Sequence, residues 1–293
     1  MRFGIYTLPT QPFGVLAERW RAAEAMGFDQ LWLPDHSRHF RHSDLPWFEG
    51  FTTLAAAALA TTRIRLGPLV SNPILRAPQL LAREAHALDH LSGGRLEIGI
   101  GTGIAQFDHA AMGTEPPSAR ARARRFAEYV EVVDGLLRAG AAGHRHQGDF
   151  FRSASPPLTP PAPQRPRPPL VIGGQAPTVL RTAARFGDAW NTHGPFGASV
   201  EKIAEITAQQ NRTLDELLAA SGREAGALRR SLLLYGPLDV WEPGAGAGDR
   251  FCRTVGRFRA AGMREFVLFW PADEALRTEL ERIATDLIPR LRD

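Results

Sequence analysis

The chain has 293 residues, 44% hydrophobic and 23% charged, which excludes a disordered or collagen-like chain and suits one large domain or two smaller ones. The formal charge is only +4, and a single cysteine, Cys252, excludes an internal disulfide and a cysteine-based metal site. No stretch reaches the roughly 20 uninterrupted apolar residues of a membrane span.

Of the 35 lysine and arginine residues only Lys202 is lysine. The arginine excess lifts the isoelectric point to about 9.9 and reads as codon-driven bias. Arg120, Arg122, Arg124 and Arg125 are not interleaved with aromatics, so no nucleic-acid partner is expected. Any Schiff-base or lysine-base mechanism has to use Lys202. The opening Met-Arg-Phe-Gly-Ile-Tyr runs into a strand-like pattern without a signal-peptide core, so a cytoplasmic protein without a membrane partner is expected.

Short apolar runs alternate with longer segments of helical period. Arg2–Thr7 predicts a strand and Val15–Met26 a helix stopped by Gly27. Gln30–Pro34 and Arg63–Val70 are the next strands, with a helix over Phe51–Ala60 between them. Pro78 opens a helix through Leu91, Arg95–Ile100 is a fourth strand, and Ser118–Leu137 a long helix. Eight prolines fall between Pro156 and Pro169, so 153–169 is expected to be a stiff, irregular connector. The rhythm then resumes with strands at Leu170–Gly173, Asp188–Asn191, Arg229–Tyr235 and Glu265–Trp270. Helices are expected at Ala176–Phe186, Ser199–Ala220 and Glu274–Leu291, and Arg250–Ala261 separates the last two strands. Eight strand–helix units predict an α/β chain folded as one (β/α)8 TIM barrel domain over residues 1–293. A doubly wound open sheet is the alternative, because periodicity does not show closure.

A barrel places function on the loops after its strands. Asp35-His36 follows the second strand, where an imidazole beside a carboxylate can move protons at a bound ring. Ser71-Asn72-Pro73 ends the third strand, and small polar groups there let a planar ligand approach the backbone. Gly99-Ile100-Gly101-Thr102-Gly103 ends the fourth without dinucleotide spacing. Gly173-Gly174-Gln175 precedes a helix and suits a cofactor phosphate. Against these stand plain readings: a loop cap with a solvated histidine, an Asn-Pro turn, and tight glycine turns. Trp47, His109 and His193 are candidates for a substrate pocket, while His39 and His42 read as solvated. The glycine-rich stretch at 236–249 is expected to be a lid. His86 and His90 are four apart but lack the glutamate of a His-Glu-x-x-His site, so no metal is expected there. A metal-dependent barrel hydrolase using Asp35, His36, His109 and His193 is an alternative function, weakened by the missing His-x-His on the first strand.

Leu31-Trp32-Leu33-Pro34-Asp35-His36, Phe51-Thr52-Thr53-Leu54 and Thr61-Thr62-Arg63-Ile64-Arg65-Leu66-Gly67 together resemble the bacterial luciferase-like flavin and deazaflavin oxidoreductases. Leu88-Asp89-His90-Leu91-Ser92-Gly93-Gly94-Arg95, Pro169-Leu170-Val171-Ile172-Gly173-Gly174, Asp188-Ala189-Trp190-Asn191 and Ile288-Pro289-Arg290-Leu291 continue the resemblance over essentially the whole chain. It implies a (β/α)8 barrel binding coenzyme F420 or, as the alternative, FMN, and acting on a small-molecule substrate. The reaction implied is hydride transfer by the deazaflavin branch, or an FMN-dependent monooxygenation using O₂. It also implies a homodimer. Asp35, His36, Ser71, Asn72, Gly101, Thr102, Gly103, Gly173, Gly174 and Gln175 would build the cofactor site, with His36 and Asp35 catalytic. A non-prolyl cis peptide that buttresses the ring would fall at Ser71-Asn72. The chain departs from the pattern at Ala77, where Arg-His-Pro is common, and at Ile104, where sugar-phosphate dehydrogenases carry glutamate. With one lysine, these point away from glucose 6-phosphate.

Overall fold

Strand β1 (Arg2–Tyr6) pairs in parallel with β2 (Gln30–Leu33) on one side and β10 (Glu265–Phe269) on the other. Buried on both faces, such strands read as apolar runs without alternation. In the computed structural model, which describes residues 1–241 and 246–292, the ladder runs from β2 to β3 (Arg65–Pro68). The other way round it passes from β10 through β9 (Arg229–Leu233), β8 (Ala189–Thr192) and β7 (Leu170–Gly173) to β4 (Ile98–Ile100). Two parallel bridges, Leu66 to Leu96 and Ser71 to Ile100, join β3 to β4 and close the ring. Glycine permits this contact: a Cβ on Gly67 would lie 1.8 Å from the Glu97 carbonyl oxygen. Closure settles the architecture as a barrel and removes the open-sheet alternative.

Helices cover the outer face: α1 (Phe13–Ala25), α2 (Gly50–Ala60), α3 (Pro78–Leu91), α5 (Ala119–Arg138), α6 (Pro177–Phe186), α7 (Val200–Ala220) and α8 (Ala247–Ala260), while the short α4 (Gln106–Ala111) lies in the loop after β4. In α5 the Ser118 side chain caps the first turn, and Phe126, Tyr129, Val130, Val133 and Leu137 form the buried stripe. At the base of the barrel Glu97 and Glu265 meet Arg2, Arg65 and Arg229.

Several expectations need correction. The connector begins at Pro156, because Arg152–Ser155 (β6) pairs antiparallel with His144–Gln147 (β5). That hairpin carries no apolar alternation; Glu128 anchors its turn by accepting the N–H groups of Asp149, Phe150 and Phe151. The closing helix divides into α9 (Arg277–Arg282), a π turn over Ile283–Leu287, and α10 (Ile288–Arg292). The expected lid is largely anchored: Leu238 and Val240 are buried, Ala247–Asp249 start α8, and the Gly248 N–H donates to Glu279. Residues 242–245 of that stretch lie outside the described residues. Among the described residues, no helix is long and apolar enough to cross a membrane.

Candidate active site

The mouth of the barrel holds a cavity of about 390 Å³, within the range of cofactor pockets. His36 lines it, just beyond β2. Its Nδ1 lies 2.6 Å from Oδ2 of Asp108, a fully buried residue on α4. Asp108 also accepts from the Ser37 N–H, the Ser37 hydroxyl and the Asn72 amide, each at 2.7 Å. Burial raises the Asp108 pKa, but the hydrogen bonds from His36 and Ser37 outweigh it and hold the carboxyl below its usual range. An ionised carboxylate only accepts, so this network assigns the proton of neutral His36 to Nδ1 and leaves Nε2 able to take one.

Asp35, read as the partner of His36, faces elsewhere. Successive side chains of an extended segment point to opposite sides. The buried Asp35 carboxylate accepts from the Asn72 N–H at 2.8 Å, the Ser71 hydroxyl at 3.2 Å and the Arg76 guanidinium. Burial raises its pKa against the opposing effect of Arg76. Arg76 in turn meets Glu49, which caps α2, and Glu84 on α3. Asp35 therefore fastens the loop after β3 and touches the cavity only through Ser71 and Asn72, which line it.

The non-prolyl cis peptide lies at Leu69–Val70, two residues before Ser71-Asn72. Val70 lines the cavity, and the glycines expected to hold a ligand make room for it. A Cβ on Gly101 would stand 2.4 Å from Val70 Cγ2, and one on Gly173 2.8 Å from Cγ1. Val70 thus fills the space left by the missing side chains of Gly101 and Gly173, and the bare backbone beside it gives a planar ring close approach. Thr102, Gly103 and Gly174 also line the cavity. The Gly174 N–H donates to the Asn191 carbonyl at 3.1 Å and is not available to an anion.

Tyr235 carries the opposite wall. Its ring meets Phe40, His193, Phe196 and Phe269 at centroid distances between 5.7 and 6.1 Å. Burial holds the His193 pKa below its usual range, so its imidazole is neutral near pH 7. Trp47, His109 and Gln175 do not line the cavity. Trp47 donates to the His36 carbonyl at 2.7 Å, packing behind the histidine. His109 is buried on α4 against Thr114, and the Gln175 amide donates to the Gly194 carbonyl. His39, expected in solvent, is buried, its Nδ1 accepting from the His42 N–H at 2.9 Å. Asp35, His36, His109 and His193 do not gather into one site. Among the described residues, no three histidine, cysteine or acidic side chains are placed to hold a metal. Sequence reasoning missed Asp108, Val70, Phe196 and Tyr235.

A model of the luciferase-like monooxygenase family matches residues 1–234, and the chain belongs to that family. It is 29% identical over 233 residues to a 5,10-methylenetetrahydromethanopterin reductase of Methanopyrus kandleri, covering 75% of this chain and 64% of the relative. An F420-dependent glucose-6-phosphate dehydrogenase of Kineococcus radiotolerans is 30% identical over 220 residues, covering 75% of this chain and 62% of that relative. The chain thus spans somewhat under two thirds of the length of these curated relatives. Among solved structures, an F420-dependent secondary alcohol dehydrogenase with an F420–acetone adduct superposes with a TM-score of 0.82 at 20% identity, over 100% of this chain and 99% of that one.

Proposed function

We propose that this protein is an F420-dependent oxidoreductase that transfers a hydride between the deazaflavin and a small organic substrate at the barrel mouth. The observation that carries the reading is His36, fixed by a buried carboxylate on the wall of a cavity that Val70, Gly101 and Gly173 also line. F420, when bound, supplies a two-electron hydride carrier. Val70, Gly101 and Gly173 would support its ring, and Gly174 would lie along it. His36, held as the Nδ1–H form by Asp108, would give or take at Nε2 the proton that accompanies hydride transfer at a substrate oxygen. The aromatic wall keeps water from the reacting atoms. Asp35 acts at one remove, positioning Ser71 and Asn72. The F420-dependent activities named for the Kineococcus relative and for the alcohol dehydrogenase support this cofactor. A cytoplasmic homodimer belongs to the same proposal, with sedimentation equilibrium checking the dimer.

Titration of the purified protein with F420 and FMN side by side, followed by fluorescence quenching, tests the reading. Saturable F420 binding, tighter than FMN, is expected. Binding of neither overturns it, and a preference for FMN with oxygen consumption moves the protein to the monooxygenase reading.

A further inference from the structure

Tyr6, the last residue of β1, lines the cavity and is only 6% exposed, yet its hydroxyl meets no hydrogen-bond partner among the described residues. A buried phenol ordinarily has one. Tyr129 shows the ordinary case: it is fully buried on α5, and its hydroxyl donates to the Arg76 carbonyl at 3.3 Å. The other polar side chains of the cavity wall are engaged. Ser71 binds Asp35, Asn72 binds Asp108, and the Asn191 amide donates to the Ser231 hydroxyl at 2.9 Å. The Tyr235 hydroxyl accepts from Arg41 at 3.4 Å.

Its place in the barrel says what the free hydroxyl faces. The strands follow one another as β3-β2-β1-β10-β9-β8-β7-β4, so β1 stands across the ring from β7, β10 from β4 and β9 from β3. Val70, Gly101 and Gly173, at the ends of β3, β4 and β7, are the segments that give a planar ring close approach. Tyr6 looks at them from the opposite wall, its own ring held by Phe269 at a centroid distance of 4.8 Å. That is the side left for a substrate. Burial, with the Asp35 carboxylate and the Tyr235 phenol nearby, raises the Tyr6 pKa far above its usual range, so the O–H keeps its proton. A phenol of this kind is a poor proton shuttle but a fixed donor, suited to hold an oxygen on which negative charge develops.

We propose that the Tyr6 hydroxyl donates a hydrogen bond to the same substrate oxygen that exchanges its proton with His36. The two residues divide the work: the proton that moves is the one at His36 Nε2, and Tyr6 keeps its own while fixing the oxygen's position. The identity of that oxygen rests on the hydride-transfer reading, while the free, buried donor stands on the geometry alone.

Tyr6→Phe removes the hydroxyl and keeps the ring. Because no bond within the protein is lost, its melting temperature should equal or exceed that of wild type. Tyr129→Phe, which takes a donor from the Arg76 carbonyl, should melt lower. Isothermal titration of the F420-loaded protein with benzamide, an uncharged carbonyl compound that resists reduction, reads the bond to a ligand. Saturable binding by wild type and about tenfold weaker binding by Tyr6→Phe are expected, with F420 affinity the same in both. A melting temperature that falls in Tyr6→Phe as it does in Tyr129→Phe overturns the proposal. So does a wild type that fails to bind benzamide, an equal benzamide affinity in the two proteins, or a loss of F420 affinity with the hydroxyl, which would put the donor on the cofactor. The titration repeated without cofactor separates this proposal from the hydride-transfer reading. Tyr6-dependent binding of benzamide by a protein that does not bind F420 supports the donor while removing hydride transfer.

Discussion

At the base of the barrel Glu97 and Glu265 face Arg2, Arg65 and Arg229, whereas at the mouth Asp108 is held by His36, Ser37 and Asn72. Both ends bury carboxylates, but their partners differ in what they can do. A guanidinium keeps its protons throughout the accessible pH range, so the cations at the base are fixed, although burial pushes the Glu265 carboxyl among them up to about 7. An imidazole can both donate and accept a proton, and this one lines a cavity. Buried charge marks chemistry where its partner can pass a proton and faces open space; elsewhere it marks structure.

The sharpest break between the two ends is His36→Ala. Loss of a proton donor or acceptor costs roughly 10²–10⁴ in turnover, so kcat should fall by that factor while the Kd for F420 moves less than about threefold. Unchanged kcat would place the proton transfer on another group. Glu97→Gln probes the opposite end. Removing one partner of a buried ion pair costs about 3–5 kcal/mol, and the lower end applies here because the three arginines keep 26–29% exposure. The midpoint of urea unfolding should drop accordingly, with F420 affinity unaltered; a weakened cofactor site would mean the ends are coupled.

Asp108→Asn has a smaller expected effect. An amide in place of the carboxylate cannot enforce the Nδ1–H form or stabilise the imidazolium, so kcat should fall about tenfold. The Kd for F420 should stay within about threefold, so the loss reads in kcat and not in cofactor binding. A defect of stability alone would lower the melting temperature and leave kcat of the folded protein unchanged.

The barrel was legible because each central strand is an apolar run and each helix repeats at 3.6 residues. His36, Ser71, Gly101 and Gly173 were legible because a barrel exposes the ends of its strands on one face. Asp108 was not. It sits on a six-residue helix inside a loop and reaches His36 across 72 positions, while Asp35, adjacent in the chain, points away. Val70 reads as one more core valine, and only the glycines at 101 and 173 hinted that something had to fit between them. The aromatic wall escaped notice because Phe40, Phe196, Tyr235 and Phe269 lie on four separate segments with no common spacing.

The smallest effect belongs to Glu24, at the base, whose carboxylate accepts from the Thr62, Arg63 and Ile64 N–H groups and ties α1 to the turn before β3. Burial raises its pKa, but these three donors win and hold it at about 2, below the ordinary 4.5. A depressed pKa stabilises the fold fully above the unfolded value and loses that contribution as pH falls through the folded one. Glu24→Ala should therefore cost stability at pH 7, by about 1 kcal/mol or less because the site is partly solvated and screened. The gap from wild type should narrow as pH falls from 4.5 toward 2. A gap that stays constant across that range would mean the loss comes from helix packing, not from the charge. Since Glu24 lies remote from the mouth, kcat at neutral pH should not change, in contrast with every carboxylate substitution that reaches His36.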